Sequence, residues 1–94
     1  MADPLARLRA VLEAMDLSGG DADRRGLAAL GTLWPELLAV VETGALVADH
    51  RRRSDTGGRL EPYEGDTVHR AHGAALRALL AAIDAALPEV TDAT

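Results

Sequence analysis

Residues 21–53 read DADRRGLAALGTLWPELLAVVETGALVADHRRR, and the fold turns on whether this stretch is one helix or two. Leu27, Leu30, Trp34, Leu37, Val41, Gly44 and Ala48 follow one another in alternating steps of three and four. That period matches one face of an α-helix, at about 3.6 residues per turn, and fits no strand. Asp21 is a suitable cap, and Asp21 with Asp23 sets carboxylates at the positive end of the helix dipole. His50, Arg51, Arg52 and Arg53 set cations beside the free carbonyls at the other end. Pro35 falls inside the stripe, where it offers no N–H and its ring crowds the preceding turn. Two arrangements answer this. One long helix is kinked near residues 31–35, or a first helix stops near Gly31 and a second is capped by Thr32. The unbroken phase of the stripe favours the single helix.

On the N-terminal side, residues 3–16 read as a short helix. Asp3 caps it, and Pro4 takes the first position, where a missing N–H costs nothing. Leu5, Leu8, Leu12 and Met15 share one face, and Ser18-Gly19-Gly20 releases the chain. On the C-terminal side, residues 54–65, SDTGGRLEPYEG, form a connector punctuated by Gly57-Gly58, Pro62 and Gly65. It is long for a helix–helix loop. Residues 66–87 read as a last helix, capped by Asp66 or Thr67 and closed at Leu87-Pro88. Val68, His72, Leu76, Leu79, Leu80, Ile83 and Leu87 make its apolar stripe. Beside them runs a ridge of Ala71, Ala74, Ala75, Ala78, Ala82, Ala85 and Ala86, over which another helix can approach closely. Residues 88–94 read as a polar tail. The expected fold is all-α, one domain over residues 1–94. It is a small bundle of three to four helices built on an antiparallel hairpin of the two long ones.

Composition agrees with this class and removes others. The chain has 94 residues, 48% hydrophobic and 27% charged, which is one domain of folded composition. It has no cysteine, so a disulfide framework, a thiolate metal site and a cysteine nucleophile fall away. The net charge of −5 argues against a general nucleic-acid coat, and no sequence-specific nucleic-acid binding is expected. All ten basic residues are arginine, and Lys, Asn, Gln and Phe are absent, as a GC-rich coding sequence would give. Residues 1–15 carry Asp3, Arg7, Arg9 and Glu13 and do not read as a signal peptide. The longest fully apolar run, residues 78–83, is short of the ~20 that a membrane span needs. No membrane partner is expected, and the expected location is the cytoplasm.

Chemistry-bearing constellations are few. Asp66, His69 and His72 are spaced by three on a helix and could in principle hold zinc or nickel. Helical zinc pairs more often sit four apart with a third ligand elsewhere, and two partly exposed histidines near a cap explain the spacing as well. No metal and no cofactor is therefore expected. Ser18 and Ser54 lie in glycine-rich turns with no nucleophile elbow around them, and no glycine-rich phosphate loop is present. A core walled mostly by alanine leaves little room for a pocket. The expectation is a protein that is not an enzyme. The densest positive patch is Arg51, Arg52 and Arg53, with Arg59 nearby and Tyr63 in the same connector. Dipole compensation and solubility explain its position without a ligand; if it binds, an acidic partner protein fits the net negative charge better than duplex DNA. The alanine ridge offers a second surface. Ala71, Ala74, Ala75, Ala78 and Ala82 would line a homodimer interface if two hairpins assembled a four-helix bundle.

Three stretches carry a family resemblance. DADRRGLAALGTLWPELLAVVE (residues 21–42) resembles a pattern common in small accessory proteins of bacteriophages and prophages from GC-rich hosts. That pattern is an acidic helix start, an aliphatic run, and a Pro followed by Glu/Ala-Leu-Leu and a further Glu. PLARLRAVLEAM (residues 4–15) and AALRALLAAIDAAL (residues 74–87) resemble the outer helices of those proteins. Where many of them carry Thr-Pro-Gly-Pro-Trp after the first helix, this chain carries Ser18-Gly19-Gly20. The resemblance implies a phage-borne or mobile-element protein acting in the cytoplasm of a bacterial host. It implies an inhibitor of host defence, anti-CRISPR-like, that occupies a surface on a host protein or ribonucleoprotein complex. The alternative is a structural homodimerisation module with no inhibitory target.

Overall fold

A computed structural model describes residues 3–88. Among the described residues the chain is all-helical: α1 spans Pro4–Glu13, α2 Asp21–Asp55 and α3 Glu64–Ala86, with no strand. The tail expected over residues 88–94 lies, apart from Pro88, outside the described residues.

Each helix end has a local cause. Asp3 accepts the Ala6 amide at 2.8 Å, and Pro4 follows it as the first helical residue. α1 stops at Glu13, short of residue 16, because the amides beyond Ala14 turn elsewhere. The Met15 amide bonds to the Leu12 carbonyl, and those of Asp16 and Leu17 bond to the Asp23 carboxylate. α2 continues through Pro35 as one helix of 35 residues. It also outruns its expected end at residue 53. The Gly57 amide bonds to the Ser54 carbonyl, and the Gly58 amide bonds to that of Arg53 at 2.7 Å. With Gly57 at φ +73°, this is a Schellman cap, which satisfies the last carbonyls and places the helix end at Asp55. α3 starts two residues early, at Glu64, since the Thr67 amide already reaches the Tyr63 carbonyl at 2.9 Å. Asp66 and Thr67 therefore lie within its first turn rather than at its cap, and the connector shortens to residues 56–63.

The chain forms two compact units. The first takes in residues 3–34 and 80–88. Its buried side chains are Leu8, Ala29, Leu33 and Ile83, together with Asp23; Leu33 and Ile83 are wholly shielded. Gly26 is buried with them, and a Cβ there would fall 2.2 Å from the Met15 Sδ, so the methionine lies directly on the helix backbone. Arg7 ties α1 to the end of α3. Its Nε donates to the Leu87 carbonyl at 2.9 Å, and its Nη2 pairs with Asp84.

The second unit is residues 35–79, where residue numbers rise along α2 as they fall along α3. Thr43 Oγ1 and His72 Nδ1 are 2.9 Å apart, and Arg53 pairs with Glu64. Two glycines make the approach close. A Cβ on Gly44 would fall 3.2 Å from the His72 ring, and one on Gly65 would fall 2.9 Å from the His50 ring. Each helix thus lends a glycine to the other's histidine.

The face that α2 buries differs from the expected stripe. Asp23, Gly26, Ala29 and Leu33 are buried, whereas Leu27 and Trp34 are 60% exposed and Val41 is 67% exposed. In the first unit the buried face is turned by one residue, about 100°, from the expected stripe, while Leu30, Leu37 and Gly44 of that stripe are half-buried. On α3 the expected stripe holds in part: Leu79 and Ile83 are buried, Val68, His72, Leu80 and Leu87 are half-buried, and Leu76 is exposed. On α1 Leu8 is buried but Leu5 is exposed.

Candidate functional site

An exposed apolar face runs along α2. Leu27, Trp34, Val41 and Ala48 recur every seven residues along it, and Gly31, Leu38 and Ala45 fall between them. All seven are exposed. Steps of four and three over this length are the a/d pattern of a helix that pairs with another helix. The run covers about 32 Å of helix at ~1.5 Å per residue. It meets charge at both ends in the same order. Asp21 pairs with Arg24 below it, and Asp49 pairs with Arg52 at 2.6 Å above it. By length and composition alone α2 is also long and apolar enough to cross a membrane.

The basic end of α2 is split by its own ion pairs. Arg53 is half-buried. It donates through Nε to Asp49 at 2.9 Å, through Nη1 to Glu64 at 3.2 Å and to the Arg59 carbonyl at 3.3 Å, and through Nη2 to Glu64. These bonds hold its guanidinium above the usual arginine range, Glu64 contributing most and Asp49 next. Asp49 is held below the usual carboxylate range by Arg52 first and then Arg53. His50 lies 3.9 Å from the same Glu64. Arg51, Arg52, Arg59 and Tyr63 are exposed, Tyr63 at 85% with φ +63°. The structure therefore leaves four of the five expected contact residues outward and commits Arg53 to pinning the connector onto α3.

On α3, Ala71, Ala74 and Ala78 are exposed, while Ala75 and Ala82 are half-buried. His69 is exposed, and His72 is engaged with Thr43 rather than with His69. No group of three metal-ligating side chains gathers among the described residues.

In the first unit a cleft of about 310 Å³ lies among Ala10, Val11, Ala14, Leu87 and Arg25. The buried Asp23 nearby is a structural group. Its Oδ1 accepts the Asp16 amide at 2.8 Å and the Leu17 amide at 3.1 Å, and its Oδ2 accepts the Gly19 amide at 2.7 Å. Sequence reading placed Asp23 at the helix dipole and missed this role. Leu27, Trp34 and Val41 stand at strict sevens, which marks an apolar face in the sequence but not that it points outward.

Comparison with protein families, with curated proteins and with solved structures gave no match to this chain.

Proposed function

We propose that this chain is a non-enzymatic protein–protein interaction protein whose working surface is the outward face of α2. The observation that carries the reading is the exposure of Leu27, Trp34 and Val41, at 60–67%, in heptad register along one helix. Isolated exposed leucines need no explanation, but an aligned apolar stripe of this length does. A helix already formed in the free chain meets a partner without the cost of ordering itself. The wider architecture, a bundle on an antiparallel hairpin of α2 and α3, belongs to the same reading, since it would brace the surface from behind. The resemblance to phage and prophage accessory proteins puts a host protein or ribonucleoprotein complex in the bacterial cytoplasm first among other partners to try. Arg51 and Arg52 adjoin Ala48 at the end of the surface as its polar rim, and Arg59 and Tyr63 stand exposed in the connector.

The test compares two baits, wild type and Val41→Glu, matched in helicity by circular dichroism. Each is incubated with nuclease-treated lysate of a GC-rich bacterium and with free copies of the chain, and retained polypeptides are weighed. Wild type should hold at least one polypeptide in stoichiometric amount that Val41→Glu loses. Equal retention by both baits removes this face as the working surface.

A further inference from the structure

The ends of the α2 face are complementary to themselves in reverse. Asp21-x-x-Arg24 stands at one end and Asp49-x-x-Arg52 at the other, each an i, i+3 ion pair with the acid first. Laid antiparallel, one order meets the other turned round. Laid parallel and in register, acid would meet acid and arginine would meet arginine. We propose, building on the interaction reading above, that the occupant of this face is a second copy of the chain, paired antiparallel along α2 with the two-fold axis level with Glu36.

The register follows from the heptad. With Glu36 at the centre, Trp34 meets Leu38 of the second copy, Gly31 meets Val41 and Leu27 meets Ala45. In two of these three layers a small residue faces a large one, which is how facing helices interdigitate. The same register sets Arg24 within one residue, about 1.5 Å along the axis, of Asp49 of the second copy. It sets Asp21 within one residue of the second copy's Arg52. The flanks between the charged ends are Ala28, Leu30, Pro35, Leu37, Glu42 and Gly44, so Glu42 alone brings charge beside the apolar layers. Glu42 then lies near Ala28 and Pro35 of the second copy, away from any like charge. The antiparallel arrangement also opposes the two helix dipoles.

Sedimentation at rising concentration, to about 500 μM, tests the pairing, because association strength is read from its midpoint. Wild type should move from 9.9 kDa to twice that mass. Trp34 is the only tryptophan and is 60% exposed, so its emission should shift to the blue over the same range. Val41→Glu should weaken association at least about tenfold, since it sets a charge in a closed apolar layer, and should leave helicity unchanged. The chain has no cysteine, so single cysteines report the direction. Leu27→Cys mixed with Ala45→Cys should give an oxidised heterodimer, while neither variant alone should cross-link. Cross-linking of each variant with itself, and none on mixing, overturns the antiparallel register. A wild type that stays at 9.9 kDa overturns self-pairing. If Val41→Glu then still loses another polypeptide as bait, the interaction reading stands without it. A dimer that survives Val41→Glu but falls to Ala78→Arg moves the interface to the α3 alanine ridge and also overturns the proposal. Flotation of monomeric wild type with phosphatidylcholine–phosphatidylglycerol vesicles, lost in Val41→Glu, assigns the face to a membrane surface instead.

Discussion

Asp23 shows how one side chain sets a whole turn. The chain leaves α1 and re-enters a helix at Asp21, and the segment between them presents amides that no helix satisfies. The Asp23 carboxylate takes three of them, so the turn is held by an acceptor that arrives after it in sequence. The Gly19 amide above all, and then those of Asp16 and Leu17, hold the carboxyl below its usual value of about 3.9, while burial pulls the other way. A folded-state value below the unfolded one contributes stability above the unfolded value and loses it as pH falls through the folded one. Asp23→Asn should therefore lower the melting temperature at pH 7. The gap between variant and wild type should close as the pH falls below the usual carboxylate value and through the lowered folded-state one, where the wild-type carboxyl protonates. A thermal series followed by circular dichroism from neutral to acid pH checks both halves. Leu17, in the same turn, sits at φ +64° with its side chain 89% exposed. A branched side chain in that region costs roughly 1–2 kcal/mol, and asparagine tolerates it better. Leu17→Asn should raise stability by about 1 kcal/mol in urea titration.

At the scale of the helices, glycine separates packing from propensity. Gly26 and Gly73 both lie inside helices, where replacing glycine by alanine is worth about 1 kcal/mol of propensity. At Gly73 the new Cβ would stand 3.4 Å from the tip of the Arg77 side chain, an ordinary contact, so Gly73→Ala should gain that amount. At Gly26 it would overlap the Met15 Sδ and Cγ, at 2.2 and 2.6 Å, and would lift the methionine off the helix. Gly26→Ala should destabilise in spite of its propensity. In the Met15→Ala background the same change should stabilise, and urea midpoints of the four proteins measure the coupling. These contacts also explain why the helices were legible in the sequence and the buried face of α2 was not. Periodicity, the Asp3-Pro4 start and the glycine pairs mark where helices run. They do not say which side of a helix faces in when large apolar residues surround most of it. Here the covered side joins Gly26 and Ala29, over which neighbours can come close, to Leu33, while Gly31 stands on the exposed side, so neither size nor hydropathy of single residues marks the inward face. Leu27 and Trp34 carry more apolar surface but stand off that approach. The polar ends of the site escaped for a related reason. Arg53 reads in sequence as one of three equivalent arginines, and only the fold brings Glu64 to it.

For the molecule as a whole, the balance is between a small covered core and a large uncovered face. The covered apolar side chains among the described residues are Leu8, Ala29, Leu33, Leu79 and Ile83. Four of these belong to the first unit and Leu79 to the second, and units this small draw only a few kcal/mol of net stability from so few covered side chains, so each is a large share. Leu33 and Trp34 are neighbours in sequence and opposites in burial, at 0% and 60% exposed. Leu33→Ala removes fully shielded methyl groups and leaves a cavity, which costs roughly 2–5 kcal/mol. That is enough to leave much of the population unfolded at 25 °C. Trp34→Ala removes a much larger side chain yet should cost less than about 1 kcal/mol in the monomer, because most of that ring already faces water. Side-chain size alone predicts the reverse order. The comparison belongs in the Val41→Glu background and at low concentration, so that self-pairing through the same tryptophan does not add to its apparent contribution. Urea unfolding of the two variants decides it. If Trp34→Ala proves the more damaging, Trp34 is a core residue, α2 is turned the other way, and the proposed outward face does not exist.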